Sequence, residues 1–299
     1  MFEVETDDLK LIGSGGIAKV YQYTDDRIIK LYPSNMLMED IIREEKAART
    51  AFDKGISTAR PYGIVSSKDG NGIVFEWVKG VLLSDLLMEK PDELDAYAPK
   101  FGRLLRSLHS TEFPFGELLS TKKIYSGYLE RLSDWYSAKE IELMQDYLDR
   151  IPDCNTMVHS DFHTKNIIIR DDQAVLIDMA EVSLGHPIFD LSAIYDLFVC
   201  LAKRSPDSVY RFIGLNTDLS VKMWNSMIRV YTDSENDKLI SKLEQLCYDF
   251  GLFRISLSPA IYVNMSDGVK KGRVERSRAE FLSHIDEHIK QLDELEVFA

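Results

Sequence analysis

The spacing of apolar residues changes near residue 78. Before that point they fall in short runs separated by polar turns, which is typical of β-strands. Three runs joined by short turns predict an antiparallel meander: Leu9–Ile12, Val20–Tyr23 and Arg27–Tyr32. A helical pattern over Met36–Lys54 ends at Gly55, a residue that favours helix C-termini. Tyr62–Ser66 and Ile73–Glu76 then predict a second hairpin.

After Val78 the apolar residues recur at helical spacing. The clearest stripes cover 101–108, 141–151 and 239–250, and Glu275–Leu295 predicts a further helix. Two short apolar runs, Asn166–Ile169 and Ala174–Ile177, predict one hairpin inside this region. The pattern therefore predicts an α+β chain of two lobes. A small antiparallel-sheet lobe with one helix covers residues 1–78, and a larger, mainly helical lobe covers residues 79–299.

Composition narrows the classes of function. A chain of 299 residues suits two sub-domains, and it has no apolar segment near the ~20 residues of a membrane span. The acidic first ten residues do not resemble a secretory signal, and three cysteines without metal spacing favour a reduced, cytoplasmic setting. The net charge of −13 disfavours nucleic acid and anionic lipid, and it weakly favours a cationic small molecule.

A glycine-rich turn joins the first two predicted strands. It contains Gly13, Ser14, Gly15 and Gly16, and Val20 follows in the next strand. Glycines let backbone amides approach phosphate groups closely. No Gly-Lys-Ser/Thr run opens a helix here, so the turn differs from a P-loop. Turns of this kind also occur without a ligand, so the signal depends on the residues around it.

Lys30 is a lysine with apolar neighbours in a predicted strand, where an ammonium group needs a partner because its burial is costly. Glu44, on the predicted helix, shares a face with Ile41 and three alanines and therefore points toward the sheet. Glu45 shares a partly apolar face with Phe52 and is the alternative partner.

A third group of polar residues lies in and after the predicted hairpin. Asp161 stands five residues before Asn166, and Asp178 follows the next apolar run. Phosphoryl transfer needs a carboxylate for the acceptor hydroxyl. An amide oxygen and a second carboxylate suit Mg²⁺, which prefers oxygen ligands. The hairpin is predicted to bring Asn166 and Asp178 to the same end.

These residues resemble a known family. His159–Asn166 (HSDFHTKN) resembles the catalytic loop of the aminoglycoside phosphotransferase and choline kinase-like superfamily. Ile177–Glu181 (IDMAE) resembles its metal-binding segment, and Gly185–Ser192 (GHPIFDLS) resembles the stretch that follows. The glycine-rich turn, Lys30 and the connector at residues 75–80 occur in the matching order. The resemblance implies a two-lobed protein kinase-like fold and ATP, with GTP as the alternative, as phosphate donor.

The resemblance also implies a role for each matching residue. Asp161 would be the catalytic base, and Asn166 and Asp178 would bind Mg²⁺. Lys30, paired with Glu44, would hold the α- and β-phosphates. The glycine-rich turn from Gly13 to Val20 would lie over the phosphates, and the backbone at Glu76 and Val78 would contact adenine. Asp190 would brace the catalytic loop, although it also reads as an ordinary helix N-cap. Ser160 replaces the family's usual glycine, and His163 and Lys165 have no assigned role.

Two alternatives of other classes remain at the level of sequence. A protein Ser/Thr kinase is disfavoured because only twelve positions separate Asp178 from Asp190, too few for a long activation loop. A non-catalytic nucleotide-binding module is disfavoured because the lysine and both metal-binding residues are present. The acceptor is predicted to be a small molecule such as an aminoglycoside, an amino-alcohol or a sugar. Four aromatic residues could cage a cationic group or belong to the core: Trp135, Trp224, Tyr231 and Tyr262.

Overall fold

The computed structural model describes residues 2–15, 18–114, 116–262, 264–293 and 295. The chain divides into two compact units. The N-terminal unit comprises Met1–Glu93 and His163–Val182, and the C-terminal unit comprises Leu94–Phe162 and Ser183–Ala299. The boundary between two lobes after residue 78 stays a prediction. By its contacts, the hairpin at residues 166–177 belongs to the same compact unit as the N-terminal strands.

A mainly antiparallel sheet forms the first part of the N-terminal unit. Its strands are β1 (Phe2–Glu3), β2 (Leu11–Ser14), β3 (Lys19–Gln22), β4 (Arg27–Leu31), β5 (Pro61–Ser67) and β6 (Gly70–Glu76). They lie in the order β1-β5-β6-β4-β3-β2, and β1 alone among these described strands runs parallel to its neighbour. The helix α1 (Met38–Asp53) packs against β5 and β6 through its buried alanines. Alternation along β4 buries Ile29 and Leu31, which pack on Val65 and Val74.

The predicted hairpin forms a second sheet in this unit. It consists of β7 (Val81–Leu82), β9 (Ile167–Arg170) and β10 (Gln173–Leu176), in the order β10-β9-β7. Gly80 precedes β7, and a Cβ atom there would lie 2.3 Å from the carbonyl oxygen of Ile169, so only glycine fits this approach. Thr58 and Ser57 hold β10, because Thr58 Oγ1 donates to Leu176 O at 2.9 Å and Leu176 N donates to Ser57 O at 2.8 Å. Helix α2 (Leu83–Glu89) and 3₁₀ turns at Pro91–Glu93 and Thr164–Asn166 complete the unit. Asn166 thus belongs to a 3₁₀ turn, not to the strand predicted from Asn166.

The C-terminal unit is mainly helical. Its helices are α3 (Leu94–His109), α4 (Thr121–Leu129), α5 (Ala138–Asp149), α6 (Ile188–Tyr195), α7 (Ala202–Arg204), α8 (Pro206–Ile213), α9 (Thr217–Thr232), α10 (Asp237–Ile261), α11 (Asp267–Arg276) and α12 (Ile285–Leu292). The strands β8 (Met157–Val158) and β11 (Ser183–Leu184) pair with each other. Gly102 lets α3 approach α9 closely, since a Cβ atom there would lie 2.6 Å from Met227 O. Aromatic rings on α5 and α10 stack at the centre of the unit.

The continuous helix predicted over Glu275–Leu295 is wrong. The chain instead forms α11, a π-helical turn at Ser277–Phe281, a 3₁₀ turn at Leu282–His284 and then α12. The change of helical register buries Ser277 and Phe281, and Phe281 contacts Tyr147 and Phe253. A regular α-helix has a fixed period and could not make this change of register. The break therefore depends on tertiary packing, which the local sequence pattern does not show.

None of the helices within the described part of the chain is long and apolar enough to span a membrane.

Candidate active site

Lys30 joins two carboxylates inside the N-terminal unit. Its Nζ lies 2.7 Å from Glu44 Oε1 and 2.7 Å from Asp178 Oδ1. The Glu44 side chain is only 2% exposed, whereas that of Asp178 is 43% exposed. Burial lowers the pKa of Lys30, but attraction to Glu44 and Asp178 outweighs burial and raises it. Lys30 is therefore held as an ammonium between a buried anchor and an accessible acid.

The partner of Lys30, left open by the sequence, is Glu44. The inner face of α1 buries Glu44 together with Ile41 and the alanines. The hydroxyl of Tyr32 donates to the second oxygen of Glu44, which fixes the carboxylate from its other side. Glu45 pairs instead with Arg49 one turn further along the same helix, where the Glu45 side chain is 16% exposed and that of Arg49 is 46% exposed.

Asn166 and Asp178 meet at one end of the hairpin, as predicted. Ile177 N donates to Asn166 O at 2.8 Å, which sets the two positions side by side on the backbone. Asp178 has a φ of +66°, a conformation that Asp adopts more readily than most other residues. His163 begins the turn and accepts a hydrogen bond from Lys165 N at 3.2 Å through Nδ1, and its Nε2 lies 3.4 Å from Asn166 Nδ2. His163, to which the sequence assigned no role, thus shapes the turn that carries Asn166.

The donor set at this end consists of one carboxylate and one amide. Both offer oxygen, which suits a hard cation such as Mg²⁺, and the carboxylate already accepts the ammonium of Lys30. Within the described residues, no group of three or more His, Cys, Asp or Glu could hold a metal ion by itself. A metal here would therefore take its remaining oxygens from a bound phosphate or from water.

The glycine-rich turn lies between β2 and β3 of the same unit. Gly13 pairs with Val20 across the two strands, and Gly15 N donates to Ala18 O at 2.9 Å. Ser14 and Gly15 line an open depression on this unit. Gly16 lies outside the described residues.

The connector begins where β6 ends. Glu76 N donates to Arg60 O at 2.8 Å, and the Glu76 side chain pairs with Arg170 on β9. The side chain of Val78 is buried. Glu76 and Val78, the residues predicted to contact adenine, therefore lie on a segment that Glu76 ties to both sheets of the unit.

The catalytic-loop residues Asp161 and Asp190 lie in the C-terminal unit. The carboxylate of Asp190 accepts hydrogen bonds from His159 N and Ser160 N, each at 2.7 Å. Asp190 is buried, and Asp161, which follows the two held amides, is exposed. Burial raises the pKa of Asp190, but hydrogen bonding and attraction from His109 outweigh burial and lower it. Asp190 is thus an ionised brace for the backbone that carries Asp161.

The interpretation of Asp190 as an N-cap is wrong. Helix α6 begins at Ile188, its cap position is Pro187, and Asp190 is already in the first turn. Ser160, in place of the family's glycine, has a φ of +68°, which explains why glycine suits this position.

His109 is a functional candidate that the sequence did not reveal. It ends α3, and its Nε2 lies 3.0 Å from Asp190 Oδ2 while its Nδ1 lies 2.8 Å from the hydroxyl of Tyr231. Asp190 is therefore fixed by His109 and by two backbone amides, and His109 is fixed in turn by Tyr231 on α9. One feature of the sequence could have indicated this role. His109 lies at the end of the apolar stripe of α3, and a buried imidazole needs hydrogen-bond partners.

The four aromatic residues considered for a cationic cage have other surroundings. Trp224 is fully buried and donates to Glu244 at 2.8 Å. The hydroxyl of Tyr231 contacts His109. The ammonium of Lys270 lies 5.9 Å from the centre of the Trp135 ring, and the guanidinium of Arg273 lies 5.3 Å from the centre of the Tyr262 ring.

Comparison with known proteins gives a family. The sequence model described as the phosphotransferase enzyme family matches residues 8–211, which is more than half of the chain. No curated protein matches the chain. The family match covers Lys30, Glu44 and the three candidate aspartates Asp161, Asp178 and Asp190.

Solved structures agree on the fold. The gentamicin complex of APH(2″)-IIa is 16% identical, with 91% of each chain covered and a TM-score of 0.60. A choline/ethanolamine kinase family protein from Mesorhizobium loti is also 16% identical, with 96% of this chain and 92% of that chain covered and a TM-score of 0.57. The ternary complex of APH(2″)-IIa with streptomycin and ATP is 17% identical, with 90% of each chain covered and a TM-score of 0.60. These likenesses confirm the predicted two-lobed, kinase-like α+β fold.

Proposed function

The chain belongs to the phosphotransferase enzyme family, and from that premise we propose that it transfers the γ-phosphoryl group of ATP, or alternatively GTP, to a hydroxyl group of a small molecule. Its solved neighbours include complexes with ATP, ADP and GDP. Two of those complexes also hold an aminoglycoside, streptomycin in one and kanamycin in the other. Amino-alcohols, aminoglycosides and sugars are the acceptor classes to examine first.

One observation carries this proposal. The ammonium of Lys30 lies 2.7 Å from both the buried Glu44 and the accessible Asp178. Glu44 keeps the lysine in place, while Asp178 can exchange its contact with the ammonium for a contact with a cation. Lys30 would then hold the α- and β-phosphates. Together, the Lys30 ammonium and the cation bound by Asp178 would supply positive charge in a protein whose net charge is −13.

Asn166 and Asp178 would hold Mg²⁺ through an amide and a carboxylate oxygen. The ion would neutralise phosphate charge. Such electrostatic stabilisation and the positioning of the reactants are the two main sources of catalysis in phosphoryl transfer. Asp178 orients its oxygens through its unusual backbone conformation, and the turn at His163 orients Asn166.

Asp161 would orient the acceptor hydroxyl and take its proton. The acceptor oxygen forms a bond to the γ-phosphorus, the bond to the β–γ bridging oxygen breaks, and the nucleoside diphosphate leaves. The proton of the hydroxyl passes to the Asp161 carboxylate. Asp190 and His109 would act only by positioning, since they hold the backbone that carries Asp161.

The turn from Gly13 to Val20, which includes Ser14, Gly15 and Gly16, would lie over the phosphates. Adenine would contact the connector backbone. Because the amide of Glu76 already donates to Arg60 O, the carbonyl of Glu76 and the amide of Val78 are the groups proposed for that contact.

The short segment between Asp178 and Asp190 supports a small acceptor. It contains β11 and a few turn residues, and β11 pairs with β8 in the described chain. A peptide substrate would need a longer segment to lie on.

The test is nucleotide turnover by the purified protein with a panel of small hydroxyl compounds. We expect turnover to need Mg²⁺ and to stop in excess chelator. Asp161→Asn should lower kcat by roughly 10²–10⁴-fold while nucleotide affinity is retained, because a general base contributes that much. Asp171→Asn, a matched change in the exposed turn of the hairpin, should have no effect. Full turnover in chelator, or an Asp161→Asn enzyme as fast as wild type, would contradict the proposal.

A cytoplasmic location is also part of the proposal. It rests on three cysteines that are all free, a state that reducing compartments maintain.

A further inference from the structure

The main sheet of the N-terminal unit has two faces with different surroundings. Lys30 on β4 pairs with Val20 on β3, and these two side chains lie on the face where Lys30 meets Glu44 of α1. Successive side chains of a strand point to opposite faces of the sheet. The next pair in the register, Leu31 and Lys19, therefore lies on the opposite face, which we call the outer face.

The N-terminal segment covers only part of the outer face. Val4 and Leu9 pack there in an apolar cluster that includes Tyr21 and Leu31. Tyr21 and Leu31 also line an open depression with a volume of about 540 Å³. Sites for small molecules have volumes of about 300–1,000 Å³, so the depression is large enough for such a ligand.

The depression opens on the outer face, although it reaches the glycine-rich turn. Ser14, at the end of β2, pairs with Lys19, and Lys19 pairs in turn with Leu31. All three residues line the depression. Residues directly opposite each other on neighbouring strands share one face of the sheet. The sheet therefore separates the depression from Lys30 and from the proposed phosphate site.

Two opposite charges line the depression without pairing with each other. Lys19 is exposed on β3, and Asp69 is exposed in the turn between β5 and β6. In the parts of the chain that the structure describes, neither residue takes part in an ion pair. Thr6 Oγ1 donates to Asp69 Oδ2 at 2.6 Å, which fixes the carboxylate and leaves its Oδ1 for a ligand.

The register of the sheet limits the distance between these two charges. Lys19 pairs with Leu31 and Leu31 pairs with Gly72, so Lys19 and Gly72 are two strands apart, or about 10 Å. Asp69 comes three residues before Gly72, which adds up to about 10 Å along the strand. The two Cα atoms are therefore no more than roughly 14 Å apart. Both side chains shorten this gap, so one small molecule can reach the two charges.

The remaining wall of the depression includes apolar side chains. Tyr21 and Leu31 belong to the apolar cluster, and the exposed Pro33 follows β4. A purely anionic ligand would be attracted by Lys19 and repelled by Asp69, and a purely cationic ligand would meet the reverse. A ligand that carries both charges gains from both residues, and an apolar part of that ligand would contact the wall.

We propose that this depression binds a small zwitterion with an apolar part, which is the chemistry of a free apolar amino acid or dipeptide. The carboxylate of the ligand pairs with Lys19 and its ammonium pairs with Asp69, while its side chains contact Tyr21 and Leu31. The site is independent of the proposed phosphoryl transfer, because it lies on the face of the sheet opposite to Lys30.

The first experiment compares ligands that differ in one charge. Leucine, leucyl-leucine, leucyl-leucinamide and N-acetyl-leucyl-leucine are titrated calorimetrically into the full chain without nucleotide. The third compound lacks the carboxylate and the fourth lacks the ammonium. We expect leucine or leucyl-leucine to bind, and the comparison of the two distinguishes an amino acid from a dipeptide. Both singly charged compounds should bind roughly 5- to 10-fold more weakly than leucyl-leucine, because each loses one partly solvated contact with a charged group.

Matched variants test the two residues. Lys19→Gln and Asp69→Asn should each weaken binding by roughly 5- to 10-fold. Asparagine keeps an oxygen that can accept from Thr6, and both positions are exposed, so either variant decides the question if the other does not fold. Lys90→Gln and Asp171→Asn remove exposed charges elsewhere in the same unit and should leave the affinity unchanged.

A charge reversal and a competition test locate the ligand. Lys19→Glu should reverse the preference, so that leucyl-leucinamide binds more tightly than N-acetyl-leucyl-leucine. A non-hydrolysable ATP analogue with Mg²⁺ should not displace leucyl-leucine, because the sheet separates the two ligands. Displacement would place the ligand in the nucleotide site, and binding lost in Asp161→Asn but retained in Lys19→Gln would place it beside the proposed catalytic base. Either result overturns the proposal.

Three other outcomes also contradict the site. They are absence of binding for both leucine and leucyl-leucine, equal binding of the singly charged compounds, and binding that both Lys19→Gln and Asp69→Asn leave unchanged. A protein that fails to turn over nucleotide would contradict the proposed function but would leave these titrations unaffected. The two proposals can therefore fail separately.

Discussion

Two adjacent glutamates on α1 occupy opposite surroundings. Glu44 is buried and binds Lys30 and Tyr32, whereas Glu45 is partly exposed and binds the exposed Arg49. A rotation of about 100° per residue along a helix accounts for this difference. Adjacent residues of one type can therefore be compared directly, each serving as the control for the other.

We expect Glu44→Gln to lower kcat/KM for the nucleotide by roughly 10- to 100-fold, because a lysine misplaced by about 1 Å positions the phosphates poorly. Glu45→Gln removes only the partly exposed pair with Arg49, which does not contact Lys30, and should change the value by less than about twofold. Steady-state kinetics with varied nucleotide measure both. The reverse order of effects would contradict the assignment of Glu44.

Ser160 is a second position where one residue can be tested. It adopts a φ of +68° between the buried His159 and the exposed Asp161. A side chain in this conformation costs about 1–2 kcal/mol, and glycine loses about 0.5–1 kcal/mol through the entropy of the unfolded chain.

Ser160→Gly should therefore leave the free energy of unfolding unchanged or raise it by up to about 1.5 kcal/mol. Ser107→Gly, in the exposed face of α3, should lower it by about 0.5 kcal/mol because helix propensity falls. Urea denaturation measures both. Equal destabilisation by the two changes would show that Ser160 is not strained.

At the scale of elements, α6 shows how a short helix can organise a site. Asp190 points from its first turn to the loop after β8, and His109 of α3 contacts the same carboxylate oxygen, Oδ2, that accepts from His159 N. Three elements distant in sequence therefore converge on one carboxylate. Their packing holds the proposed catalytic loop before any ligand arrives.

The junction of α10 and α12 contains a buried His–Asp pair. His288 Nδ1 lies 3.4 Å from Asp249 Oδ1, His288 Nε2 lies 3.2 Å from Glu280 O, and Phe281 stacks on the imidazole. Burial lowers the pKa of His288, but hydrogen bonding and attraction from Asp249, Glu280 O and Glu287 outweigh burial and raise it.

A raised folded-state pKa means that the protonated form stabilises the fold. This contribution is present in full below the ordinary value of about 6.5 and is lost as pH rises through the higher folded value. We expect thermal unfolding of wild type to show this loss and His288→Gln not to show it. His284→Gln, on the exposed side of the same segment, should keep the wild-type pH dependence. A His288→Gln protein with the same dependence as wild type would exclude the pair as its origin.

At the scale of the whole molecule, the net charge of −13 opposes the approach of an anionic nucleotide. Salt screens this repulsion, since the Debye length falls from about 30 Å at 0.01 M to about 8 Å at 0.15 M ionic strength. We expect kcat/KM for the nucleotide to rise by at least roughly twofold over that range. Kinetics in sodium chloride at constant free Mg²⁺ measure it, and a fall in kcat/KM would contradict the prediction.

The sequence by itself determined the two-part architecture and most candidate residues near the phosphates. Strand and helix periods are local properties, so the meander, α1 and the inner position of Glu44 could be read from spacing alone. The hairpin likewise predicted that Asn166 and Asp178 meet, because a short turn leaves little choice of register.

Only the tertiary structure decided the contacts that join distant segments. The bond from His109 to Asp190 spans 81 positions, and that from Lys30 to Asp178 spans 148. No local period encodes such pairs. The break after α11 also depends on which side chains pack nearby, since Phe281 contacts Tyr147 and Phe253. The types of the residues determine which groups are available for catalysis and binding. The packing of segments that are distant in sequence determines which of those groups come into contact.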